Sequence, residues 1–271
     1  MKNRKRFLPL ALAFFGLTLA APAWSDLALN MTPGVTSTSH EIYGLHMLIL
    51  WVCVVIGVGV YAAMIYAIVK FRKSKGAQPA KFTHSYTVEV IWTVIPAAIL
   101  VAMAIPAART LIRMEDTRGS QLTVKVTGFQ WRWQYDYIDD GVRFFSTLKR
   151  DANAARKLDS GIDPKTIDHY LLDVDNPLVV PVNTKVRLLV TAADVIHSWW
   201  MPAFGVKKDG IPGFINETWF NADTEGTYRG QCAELCGMDH GFMPIVVRVV
   251  SRDEYTTWLK SQRTQTSSLA R

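Results

Sequence analysis

Cysteine is scarce in this sequence, with three residues among 271. That excludes a scaffold stapled by several disulfides. The pattern C-x-x-C-H is absent, so no c-type haem is attached to this chain. Charge is missing in blocks. From Gly44 to Val69 there is no Asp, Glu, Lys or Arg, and Val90 to Ala108 is uncharged too. Two such runs exclude ordinary solvated helices. Acid is missing from residues 1–25 and again from 70–87. No internal repeat and no nucleic-acid-binding motif occur.

Each block has a positive reading. Lys2, Arg4, Lys5 and Arg6, the apolar run "FLPLALAFFGLTLA" and the small residues Ala21 and Ala23 form the three parts of a secretory signal. Residues 1–25 are expected to be removed. Residues 26–109 then form a transmembrane hairpin, with spans at about 44–69 and 90–108, since about 20 apolar residues cross a bilayer. The loop 70–87 carries Lys70, Arg72, Lys73, Lys75 and Lys81, and basic short loops stay on the cytoplasmic side. Everything after Arg109 is therefore expected in the periplasm of a bacterium, tethered to its inner membrane. The formal charge of +7 divides accordingly: residues 115–255 hold 20 Asp and Glu against 16 Lys and Arg, net −4. The basic balance reflects membrane topology and does not indicate a nucleic-acid partner.

After Arg109 the periodicity changes. Leu122, Val124 and Val126 alternate with Thr123, Lys125 and Thr127, which predicts a strand. "KVRLLVTAAD", "NETWFNA", "TYRGQC" and "PIVVRVVS" predict further strands, punctuated by Gly and Pro. The whole is an α+β membrane protein whose residues 110–260 form a Greek-key β-sandwich or barrel. Residues 138–176 read as a long irregular excursion. A last helix is expected from Ser251, where "SRDE" has capping-box spacing. The tail 261–271 is expected to be flexible. Trp131, Trp133, Tyr135 and Tyr137 alternate in one aromatic stretch, where some serve packing, and Trp133 is expected to face away from Trp131. Cys53, amid apolar residues, reads as a small packing residue.

The chemistry concentrates in "QCAELCGMDHGFM". In an oxidising compartment Cys232 and Cys236 could form a disulfide. His240 and Met243 argue for a metal instead, as does His197 upstream in "VIHSWWMPAFG". His197, Cys236, His240 and Met243 alone would make a mononuclear blue-copper site. Zinc fits less well, because a thioether is a poor structural zinc ligand. Cys232 is left over from the mononuclear reading. Two thiolates bridging two coppers, each with one imidazole, would use the full set.

At these residues the chain resembles subunit II of cytochrome c oxidase. "QCAELCGMDHGFMP" is similar to that family's copper-A motif C-x-E-x-C-x3-H-x2-M. "DVIHSWWMPAFGVKKDGIPG", "GFQWRWQYDY" and "VEVIWTVIPA" resemble its upstream histidine segment, aromatic stretch and second membrane helix. The resemblance implies a cupredoxin-like domain holding two copper ions. His197, Cys232, Cys236, His240 and Met243 would be ligands, with the main-chain carbonyl of Glu234. The Glu234 side chain would face a Mg2+ or Mn2+ ion at the boundary with subunit I. Trp131 matches the tryptophan where electrons enter, and Glu89 the carboxylate at the mouth of a proton path. Asp136 and Asp194 match acidic positions of the cytochrome c docking face. Implied partners are subunit I, subunit III, reduced cytochrome c and the lipid bilayer. Arg132 and Phe214 depart from the family pattern, where Tyr and Arg are common. A quinol-oxidase subunit of the same fold would lack the copper ligands. A tethered cupredoxin acting alone would need neither Cys232 nor Glu89. A nitrous-oxide-reductase-like enzyme would need a second, histidine-rich cluster.

Overall fold

The computed structural model describes residues 30–269. The expected signal at 1–25 lies outside them. Two long helices come first, α1 (Ser37–Lys70) and α2 (Tyr86–Met114), both long and apolar enough to cross a membrane. Each runs further than the uncharged core that announced it. At 1.5 Å per residue, 34 residues make a helix of about 50 Å, well beyond a hydrocarbon core of about 30 Å. The connection shrinks to residues 71–85. Pro96 and Pro106 lie inside α2 without ending it. Cys53 is exposed on α1, so the expectation of a packed residue is corrected: the neighbouring helix does not cover that face.

The overhanging ends of both helices are fixed to the domain that follows. Thr36 caps α1 by accepting from Ser39 N (2.9 Å), and its hydroxyl donates to Phe204 O (2.8 Å). At the other end, Arg113 pairs with Glu41 across the hairpin, and Trp219 Nε1 donates to Arg113 O (3.1 Å).

Ten strands follow: β1 (Leu122–Phe129), β2 (Arg132–Tyr137), β3 (Val142–Ser146), β4 (Leu178–Pro181), β5 (Val186–Ala192), β6 (His197–Met201), β7 (Val206–Gly210), β8 (Asn216–Phe220), β9 (Gly226–Cys232) and β10 (Pro244–Val250). They form two five-stranded sheets, ordered β3-β2-β1-β5-β8 and β4-β10-β9-β6-β7. Pairing is antiparallel except for β1 with β5 and β4 with β10. The period of two explains the core: Val124, Val126, Leu188, Val190, Ile245 and Val247 all face inward and are buried.

The aromatic stretch is two strands and not one. β1 turns at Gln130 and Trp131, whose peptide is cis, and β2 returns alongside it with Gly128 opposite Trp133. Residues two apart on one strand would share a face. The turn, not strand alternation, separates Trp131 from Trp133. The excursion expected at 138–176 contains β3 and the short helix α3 (Arg150–Ala155), so it is more ordered than its polarity suggests. The last helix, α4 (Arg252–Leu269), starts at Ser251, whose Oγ accepts from Glu254 N (3.2 Å). Glu254 does not reach back to complete the box; it pairs with Arg248. Residues 261–269 continue α4. Arg263 holds that segment by donating to Asp140 O and Oδ1 (3.0 and 2.8 Å).

Candidate metal centre

The site forms where β6 begins and where the β9–β10 loop crosses the end of the sandwich. His197 opens β6, with Trp199 and Met201 of the same strand buried in the core. Cys232 ends β9, and Met243 precedes β10. Between them a turn at His240–Phe242 lifts His240 back over Cys236. Glycine is required beside the site: a Cβ on Gly128 would lie 2.7 Å from His197 Cδ2.

Six donors converge. The two Sγ atoms are 3.9 Å apart. Cys232 Sγ lies 3.9 Å from His197 Nδ1 and 3.4 Å from the Glu234 carbonyl oxygen. Cys236 Sγ lies 3.5 Å from His240 Nδ1 and 3.5 Å from Met243 Sδ. A disulfide needs about 2.05 Å between sulfurs, so both cysteines are free thiols. His197, Cys232, Cys236 and Met243 are buried.

The two thiols differ in how readily they ionise. Burial opposes ionisation of Cys232, but the hydrogen bond from His197 and nearby backbone donors pull its thiol below the usual value. Burial, and then the charge on Cys232, push Cys236 well up. Two adjacent buried thiolates therefore repel unless a cation lies between them. Two soft sulfurs, two imidazoles, a thioether and a carbonyl suit copper better than a hard ion.

The surroundings orient these donors. His197 Nε2 and Asp194 Oδ1 are 2.9 Å apart, so the carboxylate fixes the ring with Nδ1 aimed at the cysteines. Burial raises the affinity of Asp194 for its proton, yet bonds from His197, Gln130 N and Val195 N outweigh it and lower the pKa. The Cys236 carbonyl accepts from Gln130 Nε2 (2.8 Å) and Trp131 Nε1 (3.3 Å). Trp133, fully buried, donates to Met243 O (3.2 Å), and its ring meets the His197 ring edge-on with the centroids 5.9 Å apart.

Three sequence-derived positions stand apart from the six donors. Glu89 lies in the first turn of α2, where Oε1 accepts from Ser85 N (3.3 Å). Asp136 pairs with Arg143 across β2 and β3. Trp131 packs against the edge of the core and donates to the Cys236 carbonyl. The Glu234 side chain is exposed while its carbonyl turns inward. Arg132 stacks 4.0 Å over the Phe145 ring, and Phe214 is exposed. Sequence reasoning missed Gln130 and the orienting role of Asp194. The second had a signal, since a carboxylate three residues before a ligand histidine can reach its outer nitrogen. Gln130 had none.

Comparison with known proteins covers both parts of the chain. Residues 122–250 match the family model "Cytochrome C oxidase subunit II, periplasmic domain", and residues 23–109 match "Cytochrome C oxidase subunit II, transmembrane domain". The chain is 38% identical over 246 residues to cytochrome c oxidase subunit 2 of Cereibacter sphaeroides, covering 88% of this chain and 81% of that one. It is 37% identical over 248 residues to the Arabidopsis thaliana subunit 2, covering 90% and 91%. The crystal structure of the periplasmic domain of cytochrome oxidase subunit II of Bradyrhizobium japonicum is 45% identical, covers 55% of this chain and 98% of that one, and has a TM-score of 0.48. The chain belongs to the cytochrome c oxidase subunit II family, a component of an oxidoreductase complex.

Proposed function

We propose that this chain accepts electrons from reduced cytochrome c at a binuclear copper-A centre. It passes them to the haem of subunit I, where O2 is reduced to water and protons are pumped. The observation that carries this reading is the pair of free thiols 3.9 Å apart, flanked by one imidazole each. Two copper ions bound there would supply a one-electron carrier. Cys232 and Cys236 would hold them through their thiolates, His197 and His240 through their imidazoles, and Met243 and the Glu234 carbonyl would complete the donor set.

The chain's own residues have distinct tasks. Asp194 holds His197 in one tautomer, and Trp133 and Gln130 hold the loop carbonyls. Burial keeps water from the sulfurs. Trp131 stands partly exposed at the β1–β2 turn with its indole bonded to the Cys236 carbonyl, so it links the surface to a ligand residue. We assign it as the point where electrons enter. Asp136 and Asp194 contribute negative charge to the cytochrome c docking face. The Glu234 carboxylate would face Mg2+ or Mn2+ at subunit I, and Glu89 the mouth of a proton path. Subunit III completes the assembly.

The test uses the full chain in detergent. Loaded with copper it should bind two ions per chain. Half-oxidised, its EPR spectrum should show one unpaired electron shared equally by two nuclei. A spectrum from a single copper nucleus would overturn the binuclear reading. Cys232→Ser should lose the metal or retain one ion with a mononuclear spectrum.

A further inference from the structure

The segment between β3 and β4 lies outside both sheets, yet it is a closed lobe. Thr147 N and Oγ1 donate to Asp175 (2.7 and 2.9 Å), and Lys149 N donates to Asp173 O (3.1 Å). Leu148 bridges to Val174. Inside the lobe, α3 buries Ala152 and Ala155. That packing delivers the next residue, Arg156, to the metal loop.

Arg156 grips that loop at two points. Its guanidinium donates to both oxygens of Asp239 (3.0 and 2.8 Å), and its Cζ lies over the Phe242 ring, 4.3 Å from the centroid. Nε is held by Asn153 Oδ1 at 2.7 Å, so the fork is aimed from behind. Arg156 and Asp239 are 23% and 22% exposed, which shields the pair from solvent screening. Asp239 and Phe242 flank His240, and Phe242 precedes Met243.

The rest of the loop is held differently. Its Cys236 and Met243 carbonyls are fixed by the β1–β2 turn and by Trp133. For residues 237–242, among the described residues, the polar contact from outside the loop comes from Arg156; the other bonds are internal, His240 N to Gly237 O (3.2 Å) and Phe242 N to Asp239 O (2.9 Å).

We propose that Arg156 is a positioning residue for the metal centre. Through Asp239 and Phe242 it holds His240 and Met243 at the cysteines before metal arrives and keeps them there afterwards. A bidentate, stacked arginine does this where a lysine point charge cannot. The lobe exists to supply it. The inference rests on the copper reading above for its consequence, but the clamp itself is a property of the metal-free chain.

The experiment follows both states of the full chain in detergent. In the metal-free chain, amide hydrogen exchange at His240 and Phe242 should accelerate about tenfold in Arg156→Ala and in Asp239→Asn. Exchange at Val190 and Val247 should stay unchanged. The double variant should be no faster than either single one, and Arg156→Lys should recover little. Thr147→Val, which loosens the lobe closure, should affect the loop less than Arg156→Ala. With copper bound, a chelator should strip the metal about tenfold faster from both single variants. If Arg156→Ala does not fold, Asp239→Asn decides. Unchanged loop exchange in a folded variant would overturn the clamp, as would effects that multiply in the double variant or spread to the sheets. Failure to bind two coppers would sink the reading of the centre, while the metal-free exchange would still judge the clamp.

Discussion

The two tryptophans beside the loop from Cys232 to Met243 differ in what their loss leaves behind. At position 131, the Cys236 carbonyl keeps its bond from Gln130 Nε2 when the indole is removed. Trp131→Phe should therefore cost below about 1 kcal/mol in stability. At position 133 the ring is fully buried and donates to Met243 O. Trp133→Phe removes that bond and part of a packed ring, and should cost about 2–4 kcal/mol. Electron transfer should sort them the other way. Trp131→Phe should slow reduction of the loaded centre within the docked complex, with its salt dependence unchanged. Stopped-flow mixing with ferrocytochrome c reads this, and an unaltered saturated rate would remove Trp131 from the electron path. The clustering of Cys232, Cys236, His240 and Met243 was legible in the sequence because their spacing is set within one loop. Gln130 was not, because it meets Cys236 across 106 residues through a turn that no local pattern announces.

Elements were legible where one physical demand dominates a run of residues. The two spans announced themselves by lacking charge, and β1, β5, β8, β9 and β10 by alternation or β-branched content. β4 escaped because all four of its residues are buried, leaving no period to read. β7, "VKKDG", is too polar and short to look like a strand. The start of α1 escaped for another reason. Its cap lies outside the apolar run, and its importance comes from a partner 168 residues away. Thr36 is fully buried; it accepts from Ser39 N and donates to Phe204 O. Thr36→Val keeps the shape and strands both groups, so it should destabilise the chain by about 2–3 kcal/mol. Thermal unfolding in detergent measures the cost. Amide exchange in the first turn of α1 should rise with it, because the substitution removes one of the bonds that tie the membrane hairpin to the sandwich. A change below about 0.5 kcal/mol would show that the cap does not carry the join.

At the scale of the whole molecule, charge assigns sides and partners. The basic loop should be cytoplasmic and the sandwich outside. A reporter active only in the periplasm should stay dark when inserted at Gln78 and should work when fused after Arg271; the reverse pattern would invert the topology. Residues 115–255 are net −4, which on the proposed function would set how the chain meets a basic cytochrome c. Attraction of this kind acts over about 8–10 Å at moderate salt and raises the association rate more than the final affinity. Raising ionic strength should therefore slow the second-order phase of reduction and leave the saturated rate nearly constant. The two acids first marked as docking positions should then separate. Asp136 sits beside Arg143, so Asp136→Asn removes one charge and unmasks another. It should raise the apparent KM for cytochrome c and spare the copper spectrum. Asp194 also carries charge, and three donors, His197 among them, keep its carboxylate ionised. Asp194→Asn loses the charge-assisted bond that fixes the His197 ring. It should raise KM as well, but it should also shift the copper spectrum and lower the saturated rate. The deciding comparison is both variants at two ionic strengths with spectra recorded on the same samples. Indistinguishable behaviour of the pair would mean that Asp194 acts as surface charge alone, and a second-order rate indifferent to salt would mean that the acidic balance does not steer the encounter.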